Sequence, residues 1–396
     1  MATTEARFNP FDPGVMADPY PYYRSMREQD PVHWNDLIRG WFLTRHGDVV
    51  ELLRDDRFSA DRTRSERYQP PPLHRRPPAK SMLVVDPPDH TRLRNLVNKA
   101  FTPRMVEQLR PRIEAIASEI LARVRHADEI DLVADFAYPL PVIVIAEMLG
   151  VPARDRMAFQ EWSAILVRGL DPMVSDDEQE AIFDARDALI DYLRVILNER
   201  RREPQEDLLS GLIMAEEHGD FFSEGELLAM CNLLLVAGHE TTVNLIGNGM
   251  LALFENPDQL ERLRRDTNLN QRAVEELLRY TSPVQWTGRV ASQEIEMGGR
   301  TIQPAQAVIG ILGAANRDPE VFPEPDRLDL GRDPNPHVAF SRGPHFCLGA
   351  PLARLEAQVA LPMLLERFPG LRLAGEPELR PTWVLRGLRH LPVALA

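Results

Sequence analysis

The stretch His337–Arg354, HVAFSRGPHFCLGAPLAR, contains one of the two cysteines of this chain. Cys347 lies in a loop of glycine, proline, histidine and arginine, directly before an apolar segment typical of a helix. A cysteine in that position meets backbone N–H groups and the positive end of the helix dipole, and both stabilise a thiolate. The stretch therefore predicts a cysteine that acts as a nucleophile or as a metal ligand.

Three kinds of site can use such a cysteine. A nucleophile needs a base within reach, and His345 is near, but side chains two residues apart in an extended loop point to opposite sides. A zinc site needs three or four protein ligands, and no cluster in the sequence supplies them. Haem iron brings its other ligands with it, so one thiolate suffices. The second cysteine, Cys231, lies in an apolar helical segment, where a free cysteine behaves as a small hydrophobic residue.

The composition is that of an ordinary globular protein, with 44% hydrophobic and 27% charged residues among 396. Because 46 basic residues face 60 acidic ones, the net charge is −14, which argues against nucleic acid as a partner. The amino terminus has no signal-peptide core, and no run of about 18 apolar residues occurs. We therefore expect a cytoplasmic protein with no membrane segment.

Helical periodicity dominates the middle of the chain. The strongest signal is a capping box at Ser223 and Glu226, followed by an apolar pattern that ends at Asn256–Pro257 and predicts a helix of 32 residues. Since this helix is apolar on nearly every face, it belongs in the core, although a polar island, AGHETT at Ala237–Thr242, interrupts it.

Short strands are predicted at 32–34, at 41–44 and after Gly298, whereas 91–202 has apolar residues at helical spacings of three and four. The expected fold class is therefore mainly α with small peripheral β-sheets.

The stretch Phe340–Gly349, FSRGPHFCLG, resembles the haem-binding loop of the cytochrome P-450 family. The family pattern is Phe, two residues, Gly, three residues, Cys, one residue, Gly, and its fixed positions fall on Phe340, Gly343, Cys347 and Gly349. The resemblance implies that family's helix-rich prism, in which a long central helix passes over the haem. It also implies haem b, iron protoporphyrin IX, with Cys347 as the axial ligand of the iron.

The polar island resembles the oxygen-binding groove of the family's central helix. By this resemblance Ala237 contacts the cofactor, Thr241 orients the proton delivered to dioxygen, and Glu240 relays protons inward. A threonine hydroxyl that competes for backbone partners opens a helix locally, which explains how a core helix accommodates polar residues.

A glutamate and an arginine three residues apart, Glu276 and Arg279, lie on one helix face and can pair. In the family this pair is buried and is joined by an arginine of the proline-rich loop, here Arg327 in PDRL. Leu328 replaces the aromatic residue usual there. The resemblance implies a network that steadies the cysteine loop.

The stretch at 86–94, DPPDHTRLR, resembles the segment whose His90 and Arg94 bind the haem propionates, and Arg289 and His345 match two further propionate partners. Two negative charges in a closed pocket require cations or N–H donors. The other cations of this region are expected to form a positive patch, on the cysteine side of the haem, that docks an acidic electron carrier: Arg92, Lys99, Arg104, Arg110, Arg112 and Arg342.

The resemblance implies a monooxygenase that inserts one oxygen atom of O2 into a lipophilic small molecule, of terpene, polyketide, macrolide or fatty-acid type, by hydroxylation or epoxidation. We expect residues 1–396 to form one haem domain, a monomer with no fused reductase. Electrons would come from ferredoxin and ferredoxin reductase or from a flavin-type donor. The segments 166–174 and 221–222 are predicted to flank a mobile lid. The predicted pocket walls are mainly apolar: Leu83, Val84, Val284, Gln285, Trp286, Val384 and Leu385.

Two alternatives stay open. A hydrogen peroxide-dependent peroxygenase is one, although such relatives usually lack the acid and alcohol that Glu240 and Thr241 provide here. A haem protein that binds a ligand without turnover is the other, and it would need neither residue.

Overall fold

The computed structural model of the chain describes residues 8–170, 174–217 and 219–396. Helices predominate, as the sequence predicts, and the α-helices of the described residues are, in chain order, α1 (Pro13–Ala17), α2 (Tyr20–Gln29), α3 (His46–Arg54), α4 (Asp89–Ala100), α5 (Pro103–Gln108), α6 (Arg110–Val124), α7 (Pro139–Met148), α8 (Arg156–Arg168), α9 (Asp176–Arg202), α10 (Leu208–Met214), α11 (Glu224–Glu255), α12 (Pro257–Arg265), α13 (Asn270–Thr281), α14 (Leu312–Ala315) and α15 (Ala350–Arg367).

The strands are short, and those of the described residues are β1 (Val32–Asn35), β2 (Gly40–Leu43), β3 (Phe58–Ser59), β4 (Glu129–Asp131), β5 (Glu216–Glu217), β6 (Asp220–Phe221), β7 (Trp286–Ala291), β8 (Ile295–Met297), β9 (Arg300–Ile302), β10 (Ala307–Ile311), β11 (Arg372–Leu373), β12 (Glu378–Leu379), β13 (Leu388–His390) and β14 (Pro392–Ala394). The largest sheet has the order β1-β2-β10-β7-β3, and β11-β14-β4 form a second one. In the largest sheet β10 runs parallel to β2 and antiparallel to β7.

The central helix is α11, and its bounds are those predicted from the sequence. The Ser223 hydroxyl accepts from the Glu226 N–H at 3.3 Å, and the Glu226 carboxylate accepts from the Ser223 N–H at 2.8 Å. Such a cap contributes about 1 kcal/mol. The helix ends at Glu255, and Asn256 separates it from Pro257, where α12 starts. Because α11 packs against α7, α13 and α15, most of its surface is buried, and its apolar side chains belong to the largest hydrophobic cluster.

The largest sheet packs against α3 through a separate hydrophobic cluster that includes Val32, Leu52 and Val308. The first hairpin differs from the prediction by one residue in each strand: β1 extends to Asn35, and β2 begins at Gly40 and ends at Leu43, because Asn35 pairs with Gly40. Strand β4 interrupts the region predicted as helical, since its residues pair with β14 from the far end of the chain. None of the helices in the described residues is long and apolar enough to cross a membrane.

Candidate functional site

The cysteine loop folds back on itself just before α15. The Cys347 N–H donates to the Phe340 carbonyl at 2.9 Å, which closes the loop. Two residues inside it have positive φ, Ser341 at 64° and Gly343 at 69°. A Cβ on Gly343 would overlap the Leu53 carbonyl oxygen of α3, so glycine is required there by both its backbone angle and the close approach.

The Cys347 thiol lies where the sequence predicts, at the start of α15. Burial raises its pKa, while the backbone N–H groups of Gly349 and Ala350 and the cations Arg94 and Arg354 oppose that rise. Burial prevails, so the sulfur stays a thiol unless a further positive charge reaches it. A metal cation deprotonates a coordinating thiol outright, which makes Cys347 suited to a metal ion.

Three of the four predicted propionate partners converge beside this loop. The rings of His90, on α4, and His345, in the loop, lie with their centroids 4.0 Å apart and their planes inclined by 44°. The pKa of His345 falls to about 3 because the ring is buried and faces His90 and Arg289. The pKa of Arg289, on β7, falls to about 10 because the group is buried and because Arg62 lies close. The low pKa of His345 leaves it neutral near pH 7, so its ring offers an N–H group, whereas Arg289 supplies positive charge.

The fourth predicted partner, Arg94, ties α4 to the loop by donating to the Phe346 carbonyl at 2.8 Å. Its pKa is lowered by burial, and the neighbouring Cys347 opposes the fall because a thiolate there would attract the guanidinium. Asp86 opposes the repulsion in the cluster, but it already accepts from the Ser59 hydroxyl and from the Ala60 N–H at 2.7 Å. These four residues, called the cation cluster below after its arginines, combine two positive charges with two imidazole rings that can donate N–H groups, and such a set fits the two propionates of haem.

Haem also fits the donor set. No group of three or more His, Cys, Asp or Glu side chains converges as a metal site in the residues that the structure describes. A cofactor that needs one protein ligand at Cys347 and carries its own nitrogen donors fits this arrangement.

One face of the central helix is accessible where the polar island lies. Ala237 is exposed and Thr241, one turn later, is half-buried, whereas His239, Glu240 and Thr242 are buried. The Thr241 hydroxyl donates to the Ala237 carbonyl at 3.0 Å. These two predicted site residues therefore share a face that a flat cofactor can cover.

The predicted proton-relay acid, Glu240, lies at the other side of this island, 2% exposed. The Arg380 guanidinium donates to its carboxylate, and this long-range ion pair was not foreseen from the sequence. The pKa of Glu240 is raised because burial outweighs the attraction of Arg380. Since the Arg380 side chain is 25% exposed, the pair joins the buried island to the protein surface.

Burial lowers the pKa of His239, the neighbour of Glu240, to about 4, so this histidine is neutral near pH 7. Its ring contacts the Leu235 carbonyl at 2.7 Å and the Ser163 hydroxyl at 3.0 Å, which fixes it towards α8.

A buried acid that sequence reasoning missed lies on α15. Glu356 is 1% exposed, and neither of its carboxyl oxygens has a hydrogen-bond partner within the described residues. Burial raises its pKa to about 8, and the nearby Thr242 hydroxyl opposes the shift without cancelling it. The only signal in the sequence is one acid within the apolar run LEAQVALPMLL.

The network around the E-x-x-R pair confirms the pair and corrects its third member. Arg279 donates two hydrogen bonds to Glu276, at 2.7 and 2.8 Å, and both side chains are 0% exposed. The arginine that joins them is Arg332, whose Nε lies 3.1 Å from the Glu276 carboxylate. The prediction for the Arg327 side chain is wrong: it is 62% exposed and pairs with Glu324, and only its carbonyl accepts from Arg279, at 3.1 Å.

Two of the predicted pocket segments meet. Val284 forms an isolated β-bridge with Leu385, and the Gln285 N–H donates to the Val384 carbonyl at 2.9 Å. Leu83 is exposed and Val84 half-buried, both in a 3₁₀ turn before α4.

Two of the predicted pocket side chains face elsewhere. Gln285 is buried and its amide donates to the carbonyls of Ser282, at 2.7 Å, and Thr281, at 3.3 Å, so it caps α13. Trp286 packs against Trp383 with ring centroids 4.7 Å apart, in a hydrophobic cluster that also contains Phe8 and Tyr23. Of the predicted lid segment 166–174, residues 171–173 lie outside the described residues.

The basic segment lies on α4, α5 and α6, and α5 and α6 pack against α15 behind the cysteine loop. Its charge is smaller than the sequence suggests, because three of its arginines have acidic partners. Arg92 pairs with Glu226 of α11, and Arg110 donates to Glu107 at 2.6 Å. Arg112 donates two hydrogen bonds to the Glu147 carboxylate, both at 2.8 Å. Arg342 is half-buried and donates to the His337 carbonyl at 3.3 Å.

The chain is similar to known proteins along nearly its whole length. The family model described as Cytochrome P-450 matches residues 41–381. Cytochrome P-450 107B1 of Saccharopolyspora erythraea is 47% identical over 97% of this chain and 96% of that protein. Vitamin D(3) 25-hydroxylase of Pseudonocardia autotrophica is 45% identical over 96% of this chain and 94% of that protein. The solved structure of the Bacillus subtilis bacillaene polyketide synthase cytochrome P-450 PksS superimposes with a TM-score of 0.92 at 39% identity, covering 98% of this chain and 100% of that one.

The chain belongs to the cytochrome P-450 family. It is therefore a monooxygenase, an oxidoreductase that binds haem b, and its fold is that of the family. The fold of this family implies redox partners that supply electrons.

Proposed function

We propose that the Cys347 sulfur would hold the haem iron and that the protein inserts one oxygen atom of O2 into a lipophilic small molecule. The observation that carries this assignment is the position of the thiol, at the start of α15 with two backbone N–H groups directed at it and a buried cation cluster beside it. When bound, haem b supplies the iron at which dioxygen is reduced, and a thiolate ligand favours cleavage of the O–O bond.

The cation cluster would hold the propionates. His90, Arg94, Arg289 and His345 are the proposed donors, and Arg62 is added because its charge already acts on Arg289. Binding two carboxylates would supply counter-charge, so the cluster would bind haem by charge-assisted hydrogen bonds.

The polar island would control protons. Glu240 holds a proton more readily than a carboxyl in water because it is buried, and Arg380 connects it to the surface. Thr241 lies on the accessible helix face, where its hydroxyl can leave the Ala237 carbonyl to donate towards a ligand. Glu240 would therefore deliver protons and Thr241 would orient them.

The proposed substrate is apolar and of polyketide, macrolide, terpene or fatty-acid size. The supporting observations are the exposed Leu83 and the aliphatic pair Val284 and Leu385. The names of two relatives agree in kind, since one is a vitamin D(3) hydroxylase and the other belongs to a polyketide synthase.

The thiolate assignment is tested with the purified haem-loaded protein, reduced and exposed to carbon monoxide. The wild type should show the red-shifted absorbance band that gives the family its name, and Cys347→Ser should lose it while Cys231→Ser keeps it. Absence of the band from the wild type would overturn the assignment.

The proton role is tested by coupling, the ratio of product formed to reductant consumed. Thr241→Ala should lower this ratio severalfold, and Thr241→Ser, which keeps the hydroxyl, should restore most of it. Equal coupling in all three proteins would exclude the role. Product formed as fast with hydrogen peroxide alone as with reductant and O2 would favour the peroxygenase alternative.

We propose a small acidic electron carrier, such as a ferredoxin, as the redox partner, docked on the cysteine side. The rate at which the carrier reduces the haem should fall as the salt concentration rises, because salt screens the attraction between the two proteins. Arg104→Glu should also lower this rate, because Arg104 is exposed on α5. Arg154→Glu, 83% exposed outside this segment, is the matched control and should leave the rate unchanged.

A further inference from the structure

Two consecutive glutamates of α13 serve different parts of the fold. Glu276 belongs to the buried arginine network described above, whereas Glu275 faces the cysteine loop and α15. Arg354 donates to both oxygens of Glu275, from Nε at 2.7 Å and from Nη2 at 2.8 Å. This fork geometry is the strongest form of an arginine–carboxylate pair, and both side chains are 30% exposed.

A histidine just before the cysteine loop, His337, also binds Glu275. The Ala339 N–H donates to His337 Nδ1 at 3.2 Å, so the other ring nitrogen, Nε2, carries the hydrogen that it donates to Glu275 at 3.0 Å. Arg354 and His337 therefore hold the Glu275 carboxylate from two sides. Burial alone would raise the pKa of Glu275, but these two partners lower it to about 2.

The same guanidinium reaches the residue that closes the cysteine loop. The Arg354 guanidinium carbon lies 4.6 Å from the centroid of the Phe340 ring, within cation–π distance. The Phe340 carbonyl accepts the hydrogen bond of the Cys347 N–H, and the Arg354 charge favours the charged form of the sulfur. Arg354 thus acts on Cys347 by packing and by charge.

We propose that Arg354, clamped by Glu275 and stacked on Phe340, is a positioning residue that sets the electron affinity of the haem through the Cys347 thiolate. This inference rests on the proposed ligation by Cys347. The positive charge of Arg354 stabilises the extra electron of the reduced haem, and the negative charge of Glu275 offsets part of that effect. The two residues should therefore shift the midpoint potential in opposite directions.

The test is a reductive titration of the haem-loaded protein, followed by absorbance. At the potential where half of the wild-type haem is reduced, Arg354→Met should lower the ratio of ferrous to ferric haem by about threefold, and Glu275→Gln should raise it, because each variant removes one charge of opposite sign. The double variant should return close to the wild type. Arg354→Lys, which keeps the charge, should also stay close to it.

Arg272→Met is the matched control, because Arg272 lies on α13 and its side chain is 57% exposed, paired with Asp333 at 3.1 Å. It should not move the potential. A residue that only stabilises the fold would give Arg354→Met and Glu275→Gln shifts of the same sign, or none, and either result would overturn the inference. Failure of Cys347 ligation would show in the wild type, as absence of the carbon monoxide band, whereas failure of this inference would show only in the variants.

Discussion

The buried carboxyl of Glu356 should make stability depend on pH in a way that one substitution removes. Its pKa is about 8 in the folded protein against 4.5 for an unperturbed glutamate. Between these values the folded protein keeps a proton that the unfolded chain has lost, so its free energy of unfolding falls as pH rises. Glu356→Gln is nearly isosteric and has no such proton.

The size of the effect follows from the two pKa values. Over each pH unit in which the folded protein keeps this proton and the unfolded chain has lost it, the free energy of unfolding falls by about 1.4 kcal/mol. Between pH 5 and pH 8.5 this condition holds over the equivalent of nearly three pH units. The free energy of unfolding of the wild type should therefore fall by about 4 kcal/mol relative to Glu356→Gln over this range. This is a large fraction of the stability of an ordinary domain.

Urea unfolding of the haem-loaded proteins, followed by circular dichroism at pH 5, 7 and 8.5, measures this difference. Glu366→Gln is the control, because Glu366 lies exposed on the same helix, and it should run parallel to the wild type at every pH. If Glu356→Gln also ran parallel, within about 1 kcal/mol, Glu356 would be ionised in the folded protein at neutral pH and the reasoning from burial would be refuted.

Three further changes test the loop and the cation cluster. Arg332→Met should destabilise the protein by about 2–3 kcal/mol in urea unfolding, because it removes a charge-assisted donor from the buried Glu276 carboxylate, which keeps Arg279, whereas Arg327→Met should change it by less than about 0.5 kcal/mol; equal effects would contradict the corrected network. Gly343→Ala should cost about 1–3 kcal/mol through the clash with Leu53, and wild-type stability would show that the loop can shift. Arg289→Leu should raise the rate of haem transfer to a scavenger protein about tenfold or more, and an unchanged rate would remove this arginine from the propionate site.

Local signals account for what the sequence predicted well. The bounds of α11 follow from a capping serine and a terminal proline, which act within one helical turn. The site around Cys347 follows from a loop motif of fixed spacing, and the pair of Glu276 and Arg279 follows from helical periodicity.

Long-range contacts account for what it missed. The proline-rich loop has no periodicity, so nothing in the sequence shows that Arg332 turns inward while Arg327 turns out. Arg380 reaches Glu240 across 140 positions, a contact that only the folded chain creates. Gln285 is itself a predicted pocket residue, but its side-chain amide donates to backbone carbonyls at the end of α13, a contact that the sequence does not show.

The adjacency of Glu275 and Glu276 restricts how this protein can be recombined with its relatives. One turn of α13 is bound to two separate later segments, through Arg332 in one and Arg354 in the other. In a chimaera joined between residues 282 and 331, the two glutamates would come from one parent and Arg332 and Arg354 from the other. A sequence mismatch between the parents would therefore break both ion pairs. Shuffling libraries should therefore inherit the block from α13 through α15 intact, and exchange sequence on either side of it.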